Sequence, residues 1–319
     1  MDVNMPAYLG MMGASLACVC ALFAVSFRKS AGAPSGKALP LSLCMLVLGP
    51  VFAILGGKLL FFIFRFTYLT SRDPAAYWLS LQTDELAYYG GVAGVCLAVF
   101  LSAKICGAEP RRAFNAFAPA GALMAALARF AEYFLYPTGT GASLEDVILP
   151  FPLAVNIVWS EDFTESVLAV FVYEGVFSLV AFVLSLVHKA EPRRFIRTLF
   201  YLCLPQILLE SLRTDAINLL FIHLEQLVCY LAVEGILAWY ALRLGREKFS
   251  SWVPALAGLA LCGLVVAAEF LLDGKWIIGG SYVPQWITYS VMAAGLGAVA
   301  AAEHWANRRL YSPSYALAK

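Results

Sequence analysis

Arg129 and Glu132 stand three residues apart in "AALARFAEYFLYPTG", a stretch whose start is an ordinary apolar helix. Residues three and four apart share a helix face. Arg129, Glu132, Tyr133 and Tyr136 therefore form one stripe, and Gln206, Glu210 and Arg213 in "LPQILLESLRTDA" form another. Lys58 follows Gly56 and Gly57 in "ILGGKLLFF", and Glu174 lies in "FVYEGVFSLV". A guanidinium donates two parallel hydrogen bonds and suits a phosphate, while carboxylates and tyrosines can handle a proton. In "YYGGVAGVCLAVF" a helix begins with Gly90, Gly91 and Gly94, whose bare backbone and dipole would favour an anion. Close packing through small residues is the other use of those glycines. Likewise, Arg129 with Glu132 and Arg213 with Glu210 could be neutralised pairs that only hold a bundle together.

The elements that carry these residues are membrane helices. Of 319 residues, 61% are hydrophobic and 13% charged, and mean hydropathy is +0.78, outside the range of soluble domains. A bilayer core of roughly 30 Å needs about 20 apolar residues per helix. Nine runs qualify, near Tyr8–Phe27, Leu41–Phe66, Gly90–Ile105, Ala113–Phe134, Ser166–Leu186, Thr198–Phe221, Leu224–Leu242, Trp252–Leu272 and Trp286–Ala302. The predicted fold is an all-α polytopic bundle.

Lys and Arg collect in alternate loops: Arg28, Lys29 and Lys37; Lys104, Arg111 and Arg112; Lys189, Arg193, Arg194 and Arg197; Arg243, Arg246 and Lys248; Arg308, Arg309 and Lys319. By the positive-inside rule the N-terminus is outside and the C-terminus cytoplasmic. The first run lacks a cleavage site and is expected to stay as a span. With this orientation Lys58, Arg129, Glu132, Glu174 and Glu210 gather in or near the outer half of the bilayer. An intramembrane ionisable group costs about 2.5–3.5 kcal/mol on insertion scales, so a whole set at one depth points to a site. A lipid headgroup is the anion available there.

Net charge is +1 and the basic residues are explained by topology, so no nucleic acid partner is expected. The eight cysteines lie within helices or at their cytoplasmic ends, which argues against a disulfide framework, and Cys18 and Cys20 point to different helix faces, which disfavours a metal site. No cofactor or metal is expected. The segment from Tyr136 to Glu165 holds Glu145, Asp146, Glu161, Asp162 and Glu165 without Lys or Arg, and reads as a solvated acidic loop or a landing surface for a basic peptide.

In order, "LGGKLLFFIF", "YYGGVAGVCLAVFLSAKICGAEPRRAFNAFAPAGALMAALARFAEYF", "FVYEGVFSLV", "LPQILLESLRTDA" and "LEQL" resemble the prolipoprotein diacylglyceryl transferases. The resemblance spans about Tyr8 to Leu242. It implies a membrane domain over residues 1–245, with two additional helices and a cytoplasmic tail over 246–319. It also implies transfer of a diacylglyceryl group from phosphatidylglycerol to the lipobox cysteine of a prolipoprotein in a bacterial plasma membrane, with the prolipoprotein signal peptide and membrane lipids as partners. The chain departs from the family pattern where Tyr89 replaces a histidine, where Ala128, Ala131 and Glu132 replace the two glycines and the asparagine of Gly-Arg-x-Gly-Asn, and where Gln206 replaces an arginine. Lys58 stands in another arginine position.

The reaction that the resemblance implies is a displacement at the glyceryl carbon by a cysteine thiolate, with glycerol phosphate departing. The resemblance assigns catalysis to Tyr89, Arg129, Glu132 and Glu210, and substrate binding to Lys58, Gly90, Gly91, Gly94, Glu174, Gln206, Arg213 and Gln226. Arg129 is the leading phosphate ligand, and Tyr89 and Glu132 are rival bases. His188 and His304 fall on the cytoplasmic side, and His223 in an outer turn is expected to be incidental. The alternative is a catalytically inactive or altered paralogue that binds phospholipid or lipoprotein without transfer. A transporter is disfavoured for want of internal repeats.

Overall fold

The computed structural model describes residues 4–30, 35–66, 74–79, 85–135, 138–144, 148–160, 163–188, 193–219, 222–245, 249–272 and 283–310. Its helices are α1 (Met5–Arg28), α2 (Ala38–Phe64), α3 (Pro74–Leu79), α4 (Tyr88–Ile105), α5 (Pro110–Ala131), α6 (Val170–Val187), α7 (Arg194–Leu209), α8 (Leu224–Leu244), α9 (Phe249–Leu272) and α10 (Gln285–Leu310). Among the described residues eight helices are long and apolar enough to cross a membrane, namely α1, α2 and α4 to α9, with α5 and α7 each extended by a 3-10 turn. This is the expected all-α membrane bundle. The ninth run folds as α10, whose 26 residues suffice in length, but its polar start and Gly and Ala content leave it less apolar than the other eight.

The acidic segment is only partly loop. Residues Ala154–Ser160 (β1) and Phe163–Leu168 (β2) pair antiparallel, so the fifth span begins at Val170 and not at Ser166. Val155 and Ile157, two apart on β1 and so on one face of it, pack with Val167 of β2 and with Ala169, Phe171, Val172 and Phe130. A two-residue pair, Asn218–Leu219 (β3) with Ile222–His223 (β4), separates α7 from α8.

Contacts divide the chain into two compact units, residues 1–202 with 213–215, and residues 203–212 with 216–319. In the first unit α2 packs on α4 backbone to backbone. A Cβ added at Gly56 would lie 2.3 Å from the Gly90 carbonyl oxygen, and one at Gly94 only 1.8 Å from that of Phe52. Gly90 and Gly94 are therefore covered by α2. The close approach foreseen for a phosphate is made there by a neighbouring helix, because only glycine lets two backbones meet at that distance. Gly94→Ala should destabilise the protein by about 3 kcal/mol through overpacking, read as a lower melting temperature in detergent. Gly13→Ala on α1, where an added Cβ meets nothing within 4 Å, should leave melting unchanged or raise it.

In the second unit α8, α9 and α10 pack together with the end of α7 and the 3-10 turn Glu210–Leu212. Tyr240 of α8 is buried and its hydroxyl donates to the Glu303 carboxylate of α10 at 2.9 Å, with Asn307 at 3.2 Å.

Candidate functional site

Arg129 occupies the last turn of α5, where the helix dipole favours a cation. Glu132 follows in a 3-10 turn, Glu132–Leu135, which curls the carboxylate back over the helix end. Arg129 Nη1 donates to Glu132 Oε1 at 2.7 Å, so the pairing expected from their spacing is made. It does not stop there. Arg129 Nε lies 3.2 Å from Glu174 Oε2, in the second turn of α6, and Gly175 beside Glu174 lets the Phe130 ring close in. The Arg129 guanidinium also lies over the Tyr88 ring, 3.8 Å from its centroid.

Arg213 closes the cluster. Its Nη1 donates to Glu174 Oε2 at 2.8 Å and to Glu132 Oε2 at 3.3 Å, and its Nε and Nη2 grip Asp215 at 2.9 and 2.7 Å. Arg129, Glu132, Glu174 and Arg213 are all nearly inaccessible. Two guanidiniums thus share three carboxylates, a formal charge of −1. Glu132 and Glu174 each bridge both arginines.

The segment that holds Arg213 is stitched to residues 138–144. Gly141 and Arg213 form a β-bridge, Thr214 N–H and Oγ1 both donate to the Thr140 carbonyl, and Gly139 N–H donates to Asp215 Oδ2 at 3.0 Å. Gly139 has φ +75°, and a Cβ there would lie 2.2 Å from Glu132 Oε2, so both its conformation and its lack of a side chain are used. Burial opposes the charge on Arg213, but Glu174, Glu132 and Asp215 outweigh it and hold its pKa above the ordinary arginine value. Burial likewise raises the Asp215 carboxyl, yet the Arg213 charge, with hydrogen bonds from Arg213 and Gly139, more than reverses this and leaves it below its usual range.

A depressed carboxyl pKa gives stability that is present above the unfolded value of about 3.9 and lost as pH falls through the folded one. The melting difference between the wild type and Asp215→Asn should therefore be constant from pH 5 to 8 and should close below about pH 4. A difference that shrank between pH 8 and 6 would remove Asp215 as its source.

Lys58 is buried in α2; its Nζ donates to the Tyr77 carbonyl and lies 4.6 Å from that ring's centroid, while the Tyr77 hydroxyl donates back to the Lys58 carbonyl at 2.8 Å. Burial, and then the Glu85 charge, push the Tyr77 phenol up to about 12, so it serves as a donor at neutral pH. Tyr89 is buried next to Gly90, with its hydroxyl 3.5 Å from the Leu202 carbonyl. Tyr133 packs in a ring cluster with Phe134, Phe151 and Phe171, and Tyr136 lies outside the described residues. Of the acidic segment, Glu145, Asp146, Glu161 and Asp162 lie outside them too.

In the second unit, Gln206 Nε2 donates to Glu210 Oε2 at 3.0 Å, the i,i+4 contact that the stripe predicts. Gln226, two residues into α8, donates to the Ile207 carbonyl at 2.8 Å and accepts from His223 N–H at 3.4 Å. His223 is the residue before α8, and its Nδ1 meets the Glu210 carbonyl at 2.8 Å; a carbonyl only accepts, so that nitrogen carries the proton. The histidine that looked incidental holds the turn. Asp215 and Gly139 were not predicted at all; their signal, a "TDA" after Arg213 and a Gly in "PTGTG", is only that of two ordinary turns.

The fold and the buried cluster define a multi-pass membrane protein whose intramembrane charges converge at helix ends. The family model for prolipoprotein diacylglyceryl transferase matches residues 5–242, and the chain belongs to that family. Over 182 residues it is 24% identical to the phosphatidylglycerol–prolipoprotein diacylglyceryl transferase of Clostridium novyi (strain NT), which covers 56% of this chain and 69% of that one. The family is one of transferases, and α9 and α10 lie beyond the matched residues.

Proposed function

We propose that this chain transfers a diacylglyceryl group from phosphatidylglycerol to the lipobox cysteine of a prolipoprotein, through a site that departs from the family pattern. Residues 1–245 carry the activity and 246–319 are an addition to it. The protein sits in a bacterial plasma membrane with its N-terminus outside. The observation that carries this reading is the pair of buried guanidiniums, Arg129 and Arg213, held side by side by Glu132 and Glu174 within the matched residues.

In this reading Arg129 takes the phosphate of the donor lipid, with Arg213 and Lys58 adding positive charge. The substrate thiol gives its proton to the Glu132 carboxylate or to Tyr89 in its phenolate form, the thiolate forms the C–S bond at the glyceryl carbon, and the C–O bond to phosphate breaks as glycerol phosphate leaves. Glu210 contributes on the late helix, and Gln206, Gln226 and Glu174 orient the lipid.

A second reading, an altered paralogue that binds without transfer, is favoured by one specific observation. The carboxylates around the arginines outnumber them, so a phosphate must displace a bound carboxylate before either fork can grip it. Complementation of a transferase-depleted strain, with mass spectrometry of a reporter lipoprotein, separates the two. The first reading expects an added diacylglyceryl mass; its absence at good membrane expression leaves the second.

A further inference from the structure

The first of the two C-terminal helices, α9, meets the polar groups around Gln226 through a buried carboxylate. Glu269 lies three residues before the end of α9 and is 6% exposed. Its Oε1 accepts from Gln226 Nε2 of α8 at 2.8 Å and from the Ser211 hydroxyl of the 3-10 turn. Ser211 in turn accepts from Gln226 Nε2 at 3.0 Å, so the three side chains close a triangle.

The triangle fixes the Gln226 amide. The Ile207 carbonyl and the Glu269 carboxylate only accept, so the nitrogen must face them and the oxygen must face His223 N–H. It also fixes the turn. Ile207 is held through its carbonyl by Gln226, Glu210 through its carbonyl by His223, and Ser211 through its hydroxyl by Glu269. An apolar residue at position 269 would serve helix packing alone. A buried carboxylate is expensive within a membrane helix, and here it makes charge-assisted bonds to two groups from two other elements.

We propose that Glu269 is a positioning residue: it holds the Gln226 amide and the Glu210–Leu212 turn in place, so that the added helices complete the late part of the site. What Gln226 does for the lipid rests on the proposed function; the placement of its amide does not.

The test uses the full-length protein in phosphatidylglycerol-containing nanodiscs, with Glu269→Ala and Glu269→Gln compared with wild type. Gln keeps an oxygen acceptor where Ala has none. Glu269→Ala should raise KM for phosphatidylglycerol about tenfold, as loss of a hydrogen bond to a charged group would, with kcat kept within about twofold. It should also speed hydrogen exchange over residues 207–226. Glu269→Gln should bring KM back to within about threefold of wild type and restore the protection. The proposal is overturned if Glu269→Ala leaves both quantities unchanged, or if exchange rises throughout the molecule and Gln rescues neither. Where wild type transfers nothing, the functional reading fails by itself. The exchange difference between Ala and Gln, together with phosphatidylglycerol binding by native mass spectrometry, then decides the positioning role.

Discussion

Arg129→Ala should abolish binding of anionic phospholipid and transfer together, and should destabilise the protein by about 3–5 kcal/mol, the usual penalty for leaving a buried charge without its partner. The two effects have different origins. Removing Arg129 takes one cation from a cluster of two guanidiniums and three carboxylates, so Glu132 and Glu174 must share Arg213, which already grips Asp215. Lipid binding fails because the fork that would meet the phosphate is gone. Adding Glu174→Gln to Arg129→Ala removes one of the excess negative charges and should recover part of the lost melting temperature while binding stays absent. Arg112→Ala, which breaks an exposed pair with Glu109, should do neither. Native mass spectrometry in mixed micelles and thermal melts read the two effects separately. Equal lipid binding by Arg129→Ala and Arg112→Ala would remove Arg129 from the site.

The helices were legible because lipid demands long apolar runs, and the Arg129–Glu132 pair was legible because a contact at i,i+3 is local. The partners that complete the cluster were not. Glu174 reaches Arg129 across 45 positions of sequence and Arg213 reaches Glu132 across 81, and no periodicity within one helix reports on that. Glu210 looked like the natural partner of Arg213 three residues on, yet the helix gives way to a 3-10 turn at Glu210, and Arg213 turns instead to Glu132, Glu174 and Asp215. The glycines of α4 were ambiguous for a related reason. A Cβ-free face is equally open to a phosphate or to another helix, and only the position of Phe52 and Gly56 on α2 decides for the helix at Gly90 and Gly94. The β1–β2 hairpin was hidden within a segment whose acidic residues suggested only solvation.

Glu132→Asn should strengthen binding of an anionic headgroup, by about tenfold, while weakening the fold. Glu132 stands where the family pattern has an uncharged asparagine, and its two oxygens occupy Nη1 of Arg129 and Nη1 of Arg213. With Asn the cluster's formal charge goes from −1 to 0, and the donors that Glu132 had filled become available to phosphate oxygens. A hydrogen bond to a charged group contributes roughly 1.5–3 kcal/mol, so freeing even one guanidinium donor corresponds to about a tenfold change in affinity. The same change removes two ion pairs, one within the end of α5 to Arg129 and one from there to Arg213, and melting should fall. If Glu132 is also the base, transfer will not follow affinity: KM for phosphatidylglycerol should drop and kcat should collapse, because an amide cannot take the thiol proton. If Tyr89 is the base instead, kcat should hold while KM drops. An unchanged or weaker affinity would mean that Glu132 does not stand between the arginines and the lipid, and that the charge balance of the cluster does not govern what this site binds.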